Sequence, residues 1–412
     1  MLFNVGVTGK VSIIGKDRHM DKTMWLWPAK DMDFWKIKND EYKVTIQWSR
    51  NYFEDYKRLS YLFYECGYRT FAEVVESGHD NIKSDMWFLP GIFLLRQSME
   101  LGLKALVCRS HAKNNDIQNI FIECAHDLSS LLINYLKPTC ETYLTIDEVQ
   151  WLVHYLDSLE MVDEKSDMFR FPFEDKFLNQ FRDKFLNIVD VANNMIQAFA
   201  LIKKCLEEGN LEQAFIFRSS FVPEFFVFAN HGIGNCYLWQ GINDDGFHVK
   251  VKGYIAIIDY IFQCDEINKS DKLYPLMFMF RNTIELCLKR LLYIGVNNGI
   301  SEHTFLSKRK SHYIKKDLWK NVKPVILSYI NEHDPAIDFV EQQLYLIDSL
   351  DKKGDNFRYP TSYSLEYRID NMTLDLQNVY EVLRSVINFL DGCFYMFDSI
   401  ADNEDWIIDE IN

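Results

Sequence analysis

The chain lacks most of the short signatures that name a chemistry. It holds no G-x-x-x-x-G-K-[ST], no G-x-G-x-x-G, no H-E-x-x-H and no G-x-S-x-G. That removes the phosphate-cradling loop, the dinucleotide turn, the zinc-protease helix and the nucleophile elbow. Gly232-Ile233-Gly234 lacks a strand–helix context and reads as a turn. The nine cysteines include no C-x-x-C pair and no zinc-like spacing, so reduced thiols of a cytoplasmic protein are expected. No second His or Cys stands at ligand distance from His126 or His312, and neither metal nor cofactor is expected. Basic charge is outweighed: 45 Lys and Arg stand against 60 Asp and Glu for a net charge of −15, with no dominant basic stripe of the kind nucleic-acid binders carry. Long apolar runs are missing too. The longest candidate, Ile92 to Val107, is broken by Arg96, Glu100 and Lys104, which predicts no membrane span.

What the chain does have, it has twice. KSDMWFLPGIFLLRQSMELGLKAL from Lys83 is echoed by KSDKLYPLMFMFRNTIELCLKRL from Lys269. Asp157-Ser158-Leu159 then Phe169-Arg170-Phe171-Pro172 is echoed by Asp348-Ser349-Leu350 then Phe357-Arg358-Tyr359-Pro360. The reading is a mainly α protein of two up-down helical bundles from an internal duplication. The boundaries are a leader at 1–22, a first unit at 23–206, a linker region at 207–234 and a second unit at 235–412. Leu-Trp and a polar turn recur at 26–38 and 238–252, which predicts a short β-hairpin before each bundle. Aligning on those pairs places an insertion of the first unit near 52–79. Long apolar helices are predicted at 86–108 and 273–294, further helices at 145–160 and 335–350, and last helices at 176–206 and 366–400.

On a helical wheel Leu95, Met99, Leu103 and Leu106 fall within roughly 60° of Ile92. Leu94, Leu101 and Ala105 fall opposite. Arg96, Gln97, Glu100 and Lys104 form one stripe between these faces, and Arg281, Asn282, Glu285 and Lys289 repeat it. Charges on a helix apolar on two sides must be paired or line a solvated groove. Two readings stay open: a self-neutralising salt ladder, or a pocket whose arginine fork takes a phosphate. His126 and His312 each follow the stripe by about 30 residues and read as structural hydrogen-bonders or as site residues. Arg170 and Arg358, each between aromatics and before a proline, either lock a connection or close the pocket begun by Arg96 and Arg281.

These elements in this order resemble the HEPN superfamily of small helical bundles. The matching residues are Glu100, Lys104, Ala105, Leu106, His126, Asp127, Leu128, Arg170, Phe171 and Pro172, then Glu285, Lys289, Leu291, His312, Arg358, Tyr359 and Pro360. The resemblance covers about 85–205 and 270–400. It implies bundles that pair two-fold with function at the pair interface; here the two copies would form an intramolecular pseudo-dimer. It also implies membership of bacterial phage-defence, toxin–antitoxin or stress systems, with a nucleotide or RNA as ligand and a partner protein encoded nearby. The nuclease members' Arg–polar–His spacing is absent: Arg109 and Arg309 stand too close to His111 and His312, and Arg69 too far from His79. The expectation is therefore a non-catalytic protein binding a nucleotide or RNA phosphate through paired basic pockets. A metal-independent ribonuclease, with His as base and Arg as anion stabiliser, and a scaffold with a buried salt ladder are the alternatives.

Overall fold

The computed structural model describes residues 26–78, 80–211, 215–238, 246–330 and 334–411, with side chains to residue 399. The expected leader lies outside them. The protein is mainly α, and among the described residues no helix is long and apolar enough to cross a membrane.

Two helices form the centre. The first, α2 (Phe88–Ser110), follows α1 (Tyr52–Glu76) and packs along it. Every α2 residue from Phe88 to Val107 is buried, as expected of a helix apolar on more than one side. Next come α3 (Asn114–Cys124), a helical run through a π segment at Leu131–Leu136, α4 (Ile146–Asp163) and α5 (Ile188–Leu206), which covers α2. The second centre, α7 (Lys269–Ile294), is flanked by α6 (Phe247–Gln263) before it and α10 (Leu376–Ile411) at the far end of the chain. Between them stand a π segment at Ile314–Trp319, α8 (Lys320–Tyr329) and α9 (Pro335–Leu350). The two centres meet: Phe278 on α7 stacks on Phe93 of α2 at 4.8 Å and reaches Phe63 of α1 at 6.1 Å.

Strand content is small. β1 (Lys43–Ile46) pairs antiparallel with β5 (Met372–Asp375), Lys43 opposite Asp375. β2 (Phe185–Leu186) lies between β3 (Phe228–Ala229) and β4 (Cys236–Tyr237). Neither expected hairpin is present among the described residues. Residues 26–38 make two hydrogen-bonded turns, and Asn378 of α10 donates to the carbonyls of Asp33 (2.7 Å) and Phe34 (3.1 Å). The second stretch enters α6 through Gly246 in the left-handed region (φ 78°), with 239–245 outside the described residues. Alternating Phe247, Val249 and Val251 imitate a strand, but burial continues at Tyr254, Ile255 and Ile258, and that period is helical. The stretch expected as an insertion is α1, and α6 stands in the matching place before α7. The expected last helix of the first half breaks at Phe181, and that of the second begins only after β5. The linker region packs on α4 and α5: Trp151 Nε1 donates to the Phe221 carbonyl at 2.6 Å, and Asn194 Nδ2 to those of Val222 and Glu224.

Inside α6, Lys250 is only 2% exposed. Its ammonium lies 3.9 Å from the Phe173 ring, donates to the Met168 carbonyl at 3.3 Å, and forms no ion pair among the described residues. Burial pushes it down to about 7, against a weaker pull upward from Cys236 and Asp163. The unfolded chain holds that proton up to about 10.4, so this group makes stability rise with pH from about 7 to about 10. Lys250→Met is expected to raise the melting temperature at pH 7 and to flatten its rise between pH 7 and 9. A fall in the melting temperature at both pH values would show that the amine is needed.

Candidate functional site

Each stripe builds a closed ladder around one glutamate. On α2, Glu100 Oε2 accepts from Arg96 Nη1 at 2.7 Å. Its Oε1 accepts from Lys104 Nζ (2.7 Å), His126 Nδ1 (3.0 Å) and the Tyr359 hydroxyl (2.7 Å). On α7, Glu285 takes Arg281 Nη1 on one oxygen, and Lys289 Nζ (2.6 Å) and His312 Nδ1 (2.9 Å) on the other. The spacing i, i+4, i+8 puts all three charges on one side of the helix, so one carboxylate can hold both cations. A further turn is identical. Arg96 Nη2 donates to the His126 carbonyl at 2.9 Å, and Arg281 Nη2 to that of His312 at 2.6 Å.

Electrostatics follow from burial. Arg96, Glu100, Arg281 and Glu285 are wholly buried, and Lys104 and Lys289 nearly so. Burial acts to raise Glu100, but Lys104, His126 and Arg96 outweigh it and hold its carboxyl well below the usual range. The same balance, set by Lys289, Arg281 and His312, holds Glu285 low. Burial lowers both lysines, and it lowers His126 against the pull of Glu100. A carboxylate only accepts, so Nδ1 of each histidine carries the proton and Nε2 is the free edge. Among the described residues neither Nε2 has a hydrogen-bond partner. The imidazoles are also the ladder members that reach solvent, at 26% exposure for His126 and 41% for His312.

The two ladders complete each other crosswise. Arg358, from the second half, donates through Nε and Nη2 to Gln97 Oε1 at 3.1 and 2.9 Å, and the Gln97 amide returns a bond to the Arg358 carbonyl. Arg170, from the first half, donates to Asn282 Oδ1 at 3.3 Å, and the Asn282 amide answers at 3.4 Å. Tyr359 lies under Lys104 (4.6 Å), and Phe171 under Lys289 (4.2 Å). The structure thus brings Arg96, Glu100, Lys104 and His126 together with Arg358, and Arg281, Glu285, Lys289 and His312 together with Arg170. Each of these two arginines closes the opposite ladder rather than its own. The ladders differ at the carboxylate: Phe171 has no hydroxyl, so Glu285 lacks the donor Tyr359 gives Glu100. Arg170 Nη2 is buried without a hydrogen-bond partner among the described residues.

Sequence reasoning missed Asp163 and Asp351. Asp163 Oδ2 lies 3.1 Å from Arg96 Nε, and Asp351 Oδ2 4.0 Å from Arg281 Nε. Their other oxygens cap the backbone that leads into the crossing arginines, at Asp167 and Met168 and at Gly354, Asp355 and Asn356. The signal was there: each aspartate precedes its arginine by the same interval. Glu160, also missed, is pushed up to about 8 by burial and accepts from the Leu128 amide at 2.7 Å. Among the described residues no group of His, Cys, Asp and Glu is arranged to hold a metal. No family model, curated protein or solved structure matches the chain.

Proposed function

We propose that this chain is a divergent, non-catalytic HEPN-like protein of a bacterial defence or stress system, acting in the cytoplasm. In this reading the two halves form an intramolecular pseudo-dimer, and a nucleotide or RNA binds at the two histidine mouths. The buried Arg, Glu and Lys of each ladder are positioning residues: one carboxylate holds both cations and the Nδ1 edge of the imidazole, and so fixes the ring. The observation that carries the reading is the orientation of the histidines. Each presents an unbonded Nε2 at the solvent end of its ladder. An unprotonated Nε2 accepts a hydrogen bond from a hydroxyl, as a ribose offers, beside a ladder whose three buried cations outnumber its two buried carboxylates and so favour the adjoining phosphate.

The test is a thermal-shift titration with mono- and dinucleotides and a short RNA, on the natural chain and on His126→Ala/His312→Ala. A ligand-induced rise in the natural chain that disappears in the double variant is expected. Equal rises in both would remove the histidines from binding, and no rise with any ligand would leave the ladders as scaffold alone. Metal-independent ribonuclease activity is the second reading. It is favoured by the Glu-fixed histidine, which has the arrangement of a general base with an arginine on the same carboxylate. Cleavage of labelled RNA in the presence of a chelator, abolished by His126→Ala/His312→Ala, would replace the binding reading with this one.

A further inference from the structure

The second half carries a feature that the first half does not. Its π segment, α8 and α9 enclose a groove of ≈ 740 Å³. Tyr313, Trp319, Pro324, Leu327 and Tyr345 give it an apolar floor. Five lysines rim it, 315, 316, 320, 323 and 352, against two acids, Glu341 and Asp348. Lys323 pairs with Glu341 at 2.8 Å. Lys315, Lys316, Lys320 and Lys352 are exposed and form no ion pair among the described residues. In a chain of net charge −15 this is a local reversal of sign.

The two halves can be aligned without a gap from His126 to Lys137-Pro138 and from His312 to Lys323-Pro324. Ser129, Ser130 and Asn134 then stand where Lys315, Lys316 and Lys320 stand. Counting on from Asp157-Ser158-Leu159 and Asp348-Ser349-Leu350, Met161 stands where Lys352 stands. The ladders are built in both halves; the cationic groove is built in one. An apolar floor between charged rims fits an acidic amphipathic helix, whose apolar face fills the floor while its acids meet the lysines.

Such a helix exists in this chain. Between Arg384 and Asn412 there is no Lys or Arg, and residues 400–411 of α10 include Asp402, Glu404, Asp405, Asp409 and Glu410. At about 100° per residue, Ile400, Ile407, Ile408 and Ile411 fall within roughly 100° of one another, and Asp402, Asp405 and Asp409 within roughly 60° on another side. Residues 400–411 span about 18 Å of helix, and the groove wall from Tyr313 to Leu327 about 22 Å. Phe397 of α10 packs on Tyr329, 5.3 Å between rings, which sets the start of this stretch near the Leu327 end of the groove. α10 runs unbroken to Ile411, without the bend that would turn the stretch back along α8. We infer that the groove receives the acidic C-terminal helix of a second copy of this chain. Two copies exchanging these helices form a closed two-fold dimer, with each groove filled once. This goes beyond the nucleotide reading and does not depend on it.

The experiment is sedimentation velocity of the full chain at about 50 mM and about 500 mM salt, since screening shortens the reach of such charges severalfold. A dimer at low salt that dissociates at high salt is expected. Lys316→Glu/Lys320→Glu is expected to be monomeric, as is Asp405→Lys/Asp409→Lys. The chain carrying all four changes is expected to dimerise again, a recovery that misfolding could not produce. A natural chain that stays monomeric at low salt overturns the inference, as does a dimer indifferent to Lys316→Glu/Lys320→Glu. A monomeric chain that binds a short RNA through these lysines assigns the groove to nucleic acid and overturns it as well.

Discussion

Glu100→Ala and Glu285→Ala are each expected to lower the unfolding free energy by about 3–5 kcal/mol, the cost of leaving buried partners uncompensated. Few changes in this chain should do more. Glu100 is wholly buried and is the common acceptor of a guanidinium, an ammonium, an imidazole and a phenol. Its removal leaves Lys104 without its carboxylate and Arg96 with Asp163 alone. Urea unfolding followed by far-ultraviolet circular dichroism measures the loss, and a change below about 1 kcal/mol would show that the ladder relaxes to solvent. Replacing Glu100 and Lys104 together by Met removes one cation with its acceptor, leaves Arg96 its ion pair with Asp163, and is expected to restore most of the stability. Both carboxyls ionise more readily in the fold than in the unfolded chain. Their contribution is therefore complete above the unfolded value of about 4.3 and drains away as the pH falls below it. Glu100→Ala should blunt that acid sensitivity.

Gly253→Ala is expected to destabilise by at least about 1–3 kcal/mol, the range for overpacking a core. On an exposed helix the same change stabilises by about 1 kcal/mol, so the sign is diagnostic. A Cβ at Gly253 would stand 2.3 Å from the Met86 carbonyl oxygen and 3.1 Å from its carbon. Backbone cannot yield as a flexible side-chain tip can, so α6 as a whole must move off the start of α2. That movement would reach the ladders, because Lys250 and Tyr254 of the same helix donate to the carbonyls of Met168 and Phe169 beside Arg170. Gly392 in α10 is the control: an added methyl meets only the Trp27 ring, at 3.5 Å. Gly392→Ala should be neutral or stabilising by up to about 1 kcal/mol. Thermal unfolding of the two variants side by side decides the matter, and equal behaviour would count against the close approach of α6.

The parts of this architecture legible in the sequence are those written in local period. The 3.6-residue spacing of apolar residues marked both central helices, and the i, i+4, i+8 charges marked both ladders. The pairing of Gln97 with Arg358 and of Asn282 with Arg170 was not legible, because it joins residues far apart in the chain and has no period at all. Gln97 and Asn282 stood in the stripe as polar fillers until the crossing gave them partners. The second hairpin was misread because three alternating apolar residues suit either period. The supposed insertion followed from anchoring the alignment on Leu-Trp, where the helix entering each centre would have served better. The gap-free register from the histidines to Lys137-Pro138 and Lys323-Pro324, and with it the lysines that only one half possesses, lies outside the repeated motifs that drew the eye.

The crossed arginines have a consequence for how this chain can vary. Position 97 is answerable to position 358, and position 282 to position 170, so a substitution at either end deprives its distant correspondent of that partner. A lobe cut free would keep its own glutamate and lose the residues that roof it. Neither half can be lent to another protein, or lost from this one, without unmaking the other.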